Sequence, residues 1–130
     1  MKNSARNTLI LVGRIGKDAE KVDLDNGKTV IKFTLATPNY YLNQDSEKVE
    51  RVDWHDCEIW KNSNKAGIAK YLTKGTLVSL NAQLRYNSYT QTRGKKTTIV
   101  KRAVVAVENV DFLASPNGQG ARVEKVKKGD

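Results

Sequence analysis

Eight consecutive residues, Asp53 to Trp60 (DWHDCEIW), bring together several kinds of side chain able to do chemistry: two aspartates, a glutamate, the chain's one histidine and one cysteine, and both tryptophans. In a β-strand successive side chains alternate faces. Trp54, Asp56, Glu58 and Trp60 then share one side, and His55, Cys57 and Ile59 the other. The second set reads as core-facing, with Cys57 a small core residue. The first set puts the two largest apolar side chains on a polar face, where each leaves surface in water at a cost of roughly 25 cal/mol per Å². One histidine and one cysteine supply neither a cysteine-based zinc set nor an internal disulfide. Asp53 and Asp56 fall on opposite faces, so the convergent carboxylates of a metal-dependent nuclease are not suggested. The pattern is that of a binding surface; no metal and no cofactor are implied, and an enzyme is not expected.

Other aromatics extend the surface. Tyr89 lies on the polar parity of a later strand beside Arg85, and Tyr40 and Tyr41 follow Pro38. The net charge of +9 and pI near 9.7 favour a polyanionic partner, nucleic acid ahead of an anionic membrane surface. Rings interleaved with cations suit single-stranded nucleic acid, because stacking contributes about 1–3 kcal/mol per base whatever the base while lysine and arginine neutralise phosphates. In a duplex the bases already stack on each other. Two alternatives use the same residues: a protein-docking face whose aromatics are hot spots, and an RNA-binding face. The basic loops Arg93 to Lys96 and Lys101-Arg102 favour a polyanion over a protein.

The elements that must position these residues are short and β-branched. A chain of 130 residues, 38% hydrophobic, suits one domain. Asn7 to Ile15 reads as a first strand with a bulge or bend at Gly13, and Asn26-Gly27 as a hairpin signal leading into a half-buried strand, Thr29 to Thr37. Pro38 ends that strand, and Asn39 to Glu50 reads as a long loop. Glu50 to Trp60 is the third strand. A two-turn helix follows, with Asn62, Ser63 and Asn64 as cap candidates, apolar spacing at Ile68, Tyr71 and Leu72, and a stop at Gly75. Thr76 to Tyr89 and Thr97 to Phe112 complete the set around a basic turn, TQTRGKK, and the last strand bends near Val104 and Val105, where its apolar parity slips. This is an all-β order, five strands with one short helix between the third and fourth, and it is the layout of the OB-fold barrel. The apolar run Leu9 to Val12 is too short for a signal peptide or a membrane span, and the single cysteine suits a reducing compartment, so a soluble intracellular protein is expected.

LILVGRIGKDAE, NGKTVIKFTLAT, VDWHDCEIWKN, IAKYLTKG and the QLR of Gln83 to Arg85 occur here in the order and spacing of the bacterial single-stranded DNA-binding protein family, which the stretch Asn7 to Leu113 resembles. The resemblance implies an OB-fold, typically a homotetramer, that coats single-stranded DNA without catalysis in replication, repair, recombination or transfer. It implies a place in the bacterial cytoplasm at the nucleoid. It puts base stacking on Tyr41, Trp54, Trp60 and Tyr89, and a subunit-interface role on His55. Backbone contacts are expected from Arg14, Lys32, Lys61, Arg85, Arg93, Lys95 and Lys96. Asp56 stands where the family usually has arginine, and with Glu58 it would either repel phosphate or pair with nearby lysines. The expected division is residues 1–113 as the binding domain and 114–130 as a short basic flexible tail. That tail holds four basic and two acidic residues, net +2, without the acidic tip through which family members recruit replication and repair enzymes. Two expectations stay open: the enzyme-docking function is absent, as in an accessory or mobile-element copy, or the chain is truncated.

Overall fold

Four of the expected strands run further than the sequence suggests. In the computed structural model, which describes residues 6–116, the strands are β1 (Leu9–Ile15), β2 (Glu20–Asp23), β3 (Lys28–Leu42), β4 (Lys48–Asn62), β5 (Leu77–Arg93) and β6 (Lys96–Ala114), with a 3-10 helix at Ser63–Tyr71. The sheet order β1-β5-β6-β4-β3-β2 closes through an additional β1–β3 pairing. The ring is thus five-stranded, with β2 attached outside it along β3, and the helix bridges the third and fourth strands of the ring as expected. All pairings are antiparallel except β4 with β6, which meet in parallel at Cys57↔Val105 and Glu58↔Ala106.

The core holds the inward parities of the strands: Ile31, Phe33 and Leu35 of β3, Cys57 and Ile59 of β4, and Val78, Leu80 and Ala82 of β5. Leu84, expected inward with these last three, is 38% exposed where β5 leaves the barrel. Burying each large member contributes about 1.5–3 kcal/mol, which fixes the register, since a one-residue slip would expose the whole row. Cys57 is 1% exposed. Burial, aided by the Asp56 charge, pushes its thiol up from about 9 to about 12. A raised acid pKa means stability that is complete below the unfolded value and is lost as pH climbs toward the folded one. The melting temperature of the wild type should therefore fall more steeply between about pH 9 and 11 than that of Cys57→Ala. Equal slopes would mean that the thiol ionises freely in the folded chain.

Several expectations need correction. Pro38 does not end β3; it pairs with Val52, and β3 runs on to Leu42. The pairing of β1 with β3 reaches only Ala36, so the continuation is an edge, where proline removes no needed ladder bond. The long loop shrinks to residues 43–47, tied by the Asn43 side chain, whose Oδ1 accepts from the Asp45 and Glu47 N–H groups at 2.9 Å each. The basic turn likewise shrinks to Gly94-Lys95, with Gly94 at φ 61°, where glycine suits the first central position of a two-residue hairpin. Lys101 and Arg102 lie within β6, not in a loop.

The helix is a 3-10 segment broken at Lys65 and Ala66, not two α-turns. Its expected caps are otherwise engaged: Asn62 Oδ1 accepts from Lys28 Nζ at 2.9 Å, and Ser63 Oγ is 2.8 Å from Thr29 Oγ1. The bend in the last strand comes at Glu108 and Leu113, where register shifts leave one extra residue each. The doubled burial at Val104 and Val105 has another cause, the packing of β6 between β5 and β4. Ala114 ends β6 as a buried residue, and the rest of the expected tail lies outside the described residues after Pro116.

Candidate nucleic-acid interface

The β3–β4 ladder sets the outward row. Trp60 stands opposite Val30, Glu58 opposite Lys32, Asp56 opposite Thr34 and Trp54 opposite Ala36. Trp54 is 63% and Trp60 55% exposed. Trp60 Nε1 donates to Glu58 Oε1 at 3.3 Å, which engages one of the two carboxylates on this face. Trp54 lies across Gly16: a Cβ added there would meet Trp54 Cζ3 at 2.5 Å and Thr34 Oγ1 at 2.6 Å. Glycine at that position is what lets the indole seat against the β1–β2 connection.

Three clefts run beside this row. One is lined by Lys17, Lys32, Asp56, Glu58, Tyr89 and Arg102 among others. A second, lined by Lys32, Glu58, Trp60, Arg85, Val22 and Leu24, shares Lys32, Glu58, Asn87 and Val104 with the first. A third, with Lys28, Lys61 and Lys65, shares Trp60 with the second. The shared walls make one path from Tyr89 over Lys32 and Arg85 to Trp60 and Lys61. Five of the residues expected to bind are brought together on it.

The others are placed elsewhere. Trp54 extends the row beyond Asp56 without lining these clefts. Tyr41 sits on the β3 arm opposite Val49, half exposed, on the parity of Leu35; the unbroken register gives Trp54's parity to Tyr40. Tyr40 donates to Glu50 Oε2 at 3.1 Å, a bond that raises the phenol's pKa, and Lys48 Nζ lies 4.4 Å from its ring centre. Arg93, Lys95 and Lys96 crowd the tip of the β5–β6 arm, Arg93 directly opposite Lys96. Arg14 Nη1 donates to the Gly75 carbonyl at 2.7 Å and the Ser115 carbonyl at 3.4 Å, which ties β1 to the segment before β5 and to the end of β6. His55 is half-buried, with Nε2 2.9 Å from Thr37 Oγ1. Arg102, absent from the expected set, joins Asp56 through two contacts, Nη2 at 2.7 Å and Nε at 3.1 Å. Tyr86 and Ile99 are also exposed, 64% and 72%, on the other face of the β5–β6 arm. No sequence signal marks them, because strand parity does not reveal an arm exposed on both faces.

A closed five-stranded barrel with aromatic and basic side chains along an outer path is the OB-fold in its oligomer-binding form. The chain belongs to the single-strand binding protein family, whose pattern it matches over residues 6–113. It is 35% identical to the single-stranded DNA-binding protein of Bacillus cereus over 114 residues, 88% of this chain and 64% of that one. It is 36% identical to single-stranded DNA-binding protein 1 of Synechocystis, with 84% of each chain covered. The fold is similar to that of the Plasmodium falciparum SSB in complex with ssDNA, with a TM-score of 0.68 at 23% identity over 87% of this chain and 99% of that one. The chain spans a little under two thirds of the length of the Bacillus relative.

Proposed function

We propose that the chain binds and coats single-stranded DNA with little sequence preference and without catalysis. The observation that carries this reading is the joined path on which Tyr89 and Trp60 alternate with Lys32, Arg85 and Lys61. Trp54 and the tyrosines of the β3 arm extend the stacking row. The β5–β6 tip supports a polyanion independently, since like charges directly opposite across a ladder are unfavourable until an anion lies between them. Arg93, Lys95 and Lys96 would hold phosphates there. Arg14 drops out of the backbone set in this reading, because its guanidinium already serves two carbonyls.

The protein would act as a homo-oligomer, as a tetramer by family resemblance. Ile10 and Val12 of β1 are 66% and 50% exposed on a strand that β3 joins only at Arg14 and Ile15, a surface suited to a second copy. His55, nearby in the ladder, would lie at that contact. Among the described residues no helix is long and apolar enough to cross a membrane. Action would be in the bacterial cytoplasm, at the nucleoid, during replication, recombination, repair or transfer.

The test is a tryptophan-fluorescence titration with oligo-dT at several salt concentrations, with duplex and oligo-U as controls. Strong quenching by oligo-dT is expected, with log K falling against log salt by about 0.7 for each phosphate neutralised, and little response to duplex. Equal binding of oligo-U would widen the reading to RNA. A folded chain that binds no single strand would leave its aromatics as protein-docking residues.

A further inference from the structure

Arg102 occupies mid-strand β6, directly opposite Asn87, on the wall of the cleft that also holds Tyr89 and Lys32. Its Nε and Nη2 both end on one oxygen of Asp56, at 3.1 and 2.7 Å. That edge of a guanidinium is the one that receives a phosphate oxygen. Both side chains are partly in solvent, 58% and 42%, so the pair is held loosely and is open to exchange. Other charges facing the cleft are Lys17, Glu20, Lys32 and Glu58. With Asp56 and Arg102 included, three carboxylates match three cations, and the cleft nearest Tyr89 is electrically balanced in a chain of net charge +9.

We propose that Arg102 is a latent phosphate contact and that Asp56 occupies it as an internal stand-in for the DNA backbone. Resting on the single-strand binding reading, this makes Asp56 a residue that sets affinity and salt sensitivity. A phosphodiester oxygen entering beside Tyr89 has to displace the carboxylate, which stays nearby and opposes it. In the free protein Arg102 therefore adds little to the attraction of the cleft. No bond is made or broken; the exchange is of one anion for another on the same donors.

The experiment is a double-mutant cycle with Asp56→Asn, Arg102→Gln and the combined variant, each shown to be folded by its melting curve, titrated with oligo-dT across a salt series. Asp56→Asn is expected to bind up to about fivefold more tightly at low salt, with the salt slope steeper by about 0.7, one phosphate more. Arg102→Gln should change wild-type affinity by less than about twofold, yet remove most of the gain in the Asp56→Asn background. If the gain survives without Arg102, Asp56 acts only through its charge and the latch is overturned. Equal losses from Arg102→Gln in both backgrounds would also overturn it, since Arg102 would already be on the DNA. A wild-type chain that ignores oligo-dT would remove the binding reading and the latch together, an outcome distinct from a binding wild type with additive variants.

Discussion

Replacing Trp54 and Trp60 together with alanine is expected to weaken oligo-dT binding by about 2–6 kcal/mol, at least about thirtyfold, while the barrel stays folded. Each ring would contribute about 1–3 kcal/mol as a stacking platform. The two are six residues apart on one strand, roughly 20 Å along it, so their effects should add. Stability should move by no more than roughly 1 kcal/mol, because both indoles are more than half exposed and cover little of the core. Trp54→Phe, which keeps a ring, should retain most of the affinity.

Gly16→Ala gives a second route to the same residue. Its methyl would collide with the Trp54 ring and Thr34 Oγ1, and the indole is the part free to move. Affinity should drop in the wild-type background and stay unchanged in Trp54→Ala. A folded double tryptophan variant that binds oligo-dT at wild-type strength would take both residues out of the interface.

What could be read in advance follows the burial. Inside the barrel one face of each strand is covered, and the alternations Ile31, Phe33, Leu35 and Val78, Leu80, Ala82 match the observed strands and facing, whereas Leu84, next in the second row, is 38% exposed. Beyond the barrel the β3–β4 and β5–β6 arms have solvent on both faces, so parity carries no information there. Proline reads as a strand end, and on an arm open to solvent no alternation is there to contradict it; Tyr86 and Ile99 are unmarked in the sequence for the same lack of alternation. The short β2, EKVD, has no buried residue at all and forms because β3 offers an edge to it. For Asp56 the reading left open repulsion of phosphate or pairing with a lysine. Its partner is an arginine 46 residues away, reached through the parallel β4–β6 contact, which no local pattern encodes. The DWHDCEIW row, by contrast, sits wholly on one strand, and its two faces separated as alternation requires.

Gly13→Ala is the substitution expected to harm the fold most. β1 is the strand that closes the ring: Gly13 pairs with Val78 of β5, and the next two residues, Arg14 and Ile15, pair with Ala36 and Leu35 of β3. At Gly13 a Cβ would drive into the Ala36 carbonyl oxygen, with Ala36 C at 3.0 Å and Thr37 Cγ2 at 3.1 Å. The obstacle is backbone, which cannot swing aside as the tip of a side chain can, so the β1–β3 seam must open to admit the methyl. Overpacking of this kind costs about 1–3 kcal/mol and occasionally more, and with the seam displaced a loss of about 3 kcal/mol is expected. For a domain of this size that lowers the melting temperature by roughly 10–15 °C. Gly67→Ala is the matched control, since its Cβ would meet nothing within 4 Å, and it should melt within a few degrees of wild type. Because β3 also carries Lys32 and the Ala36 that stands opposite Trp54, an opened seam should weaken DNA binding in the folded variant as well. A Gly13→Ala chain that melts like wild type would mean that β1 and β3 do not approach this closely, and the barrel would then be open along that seam.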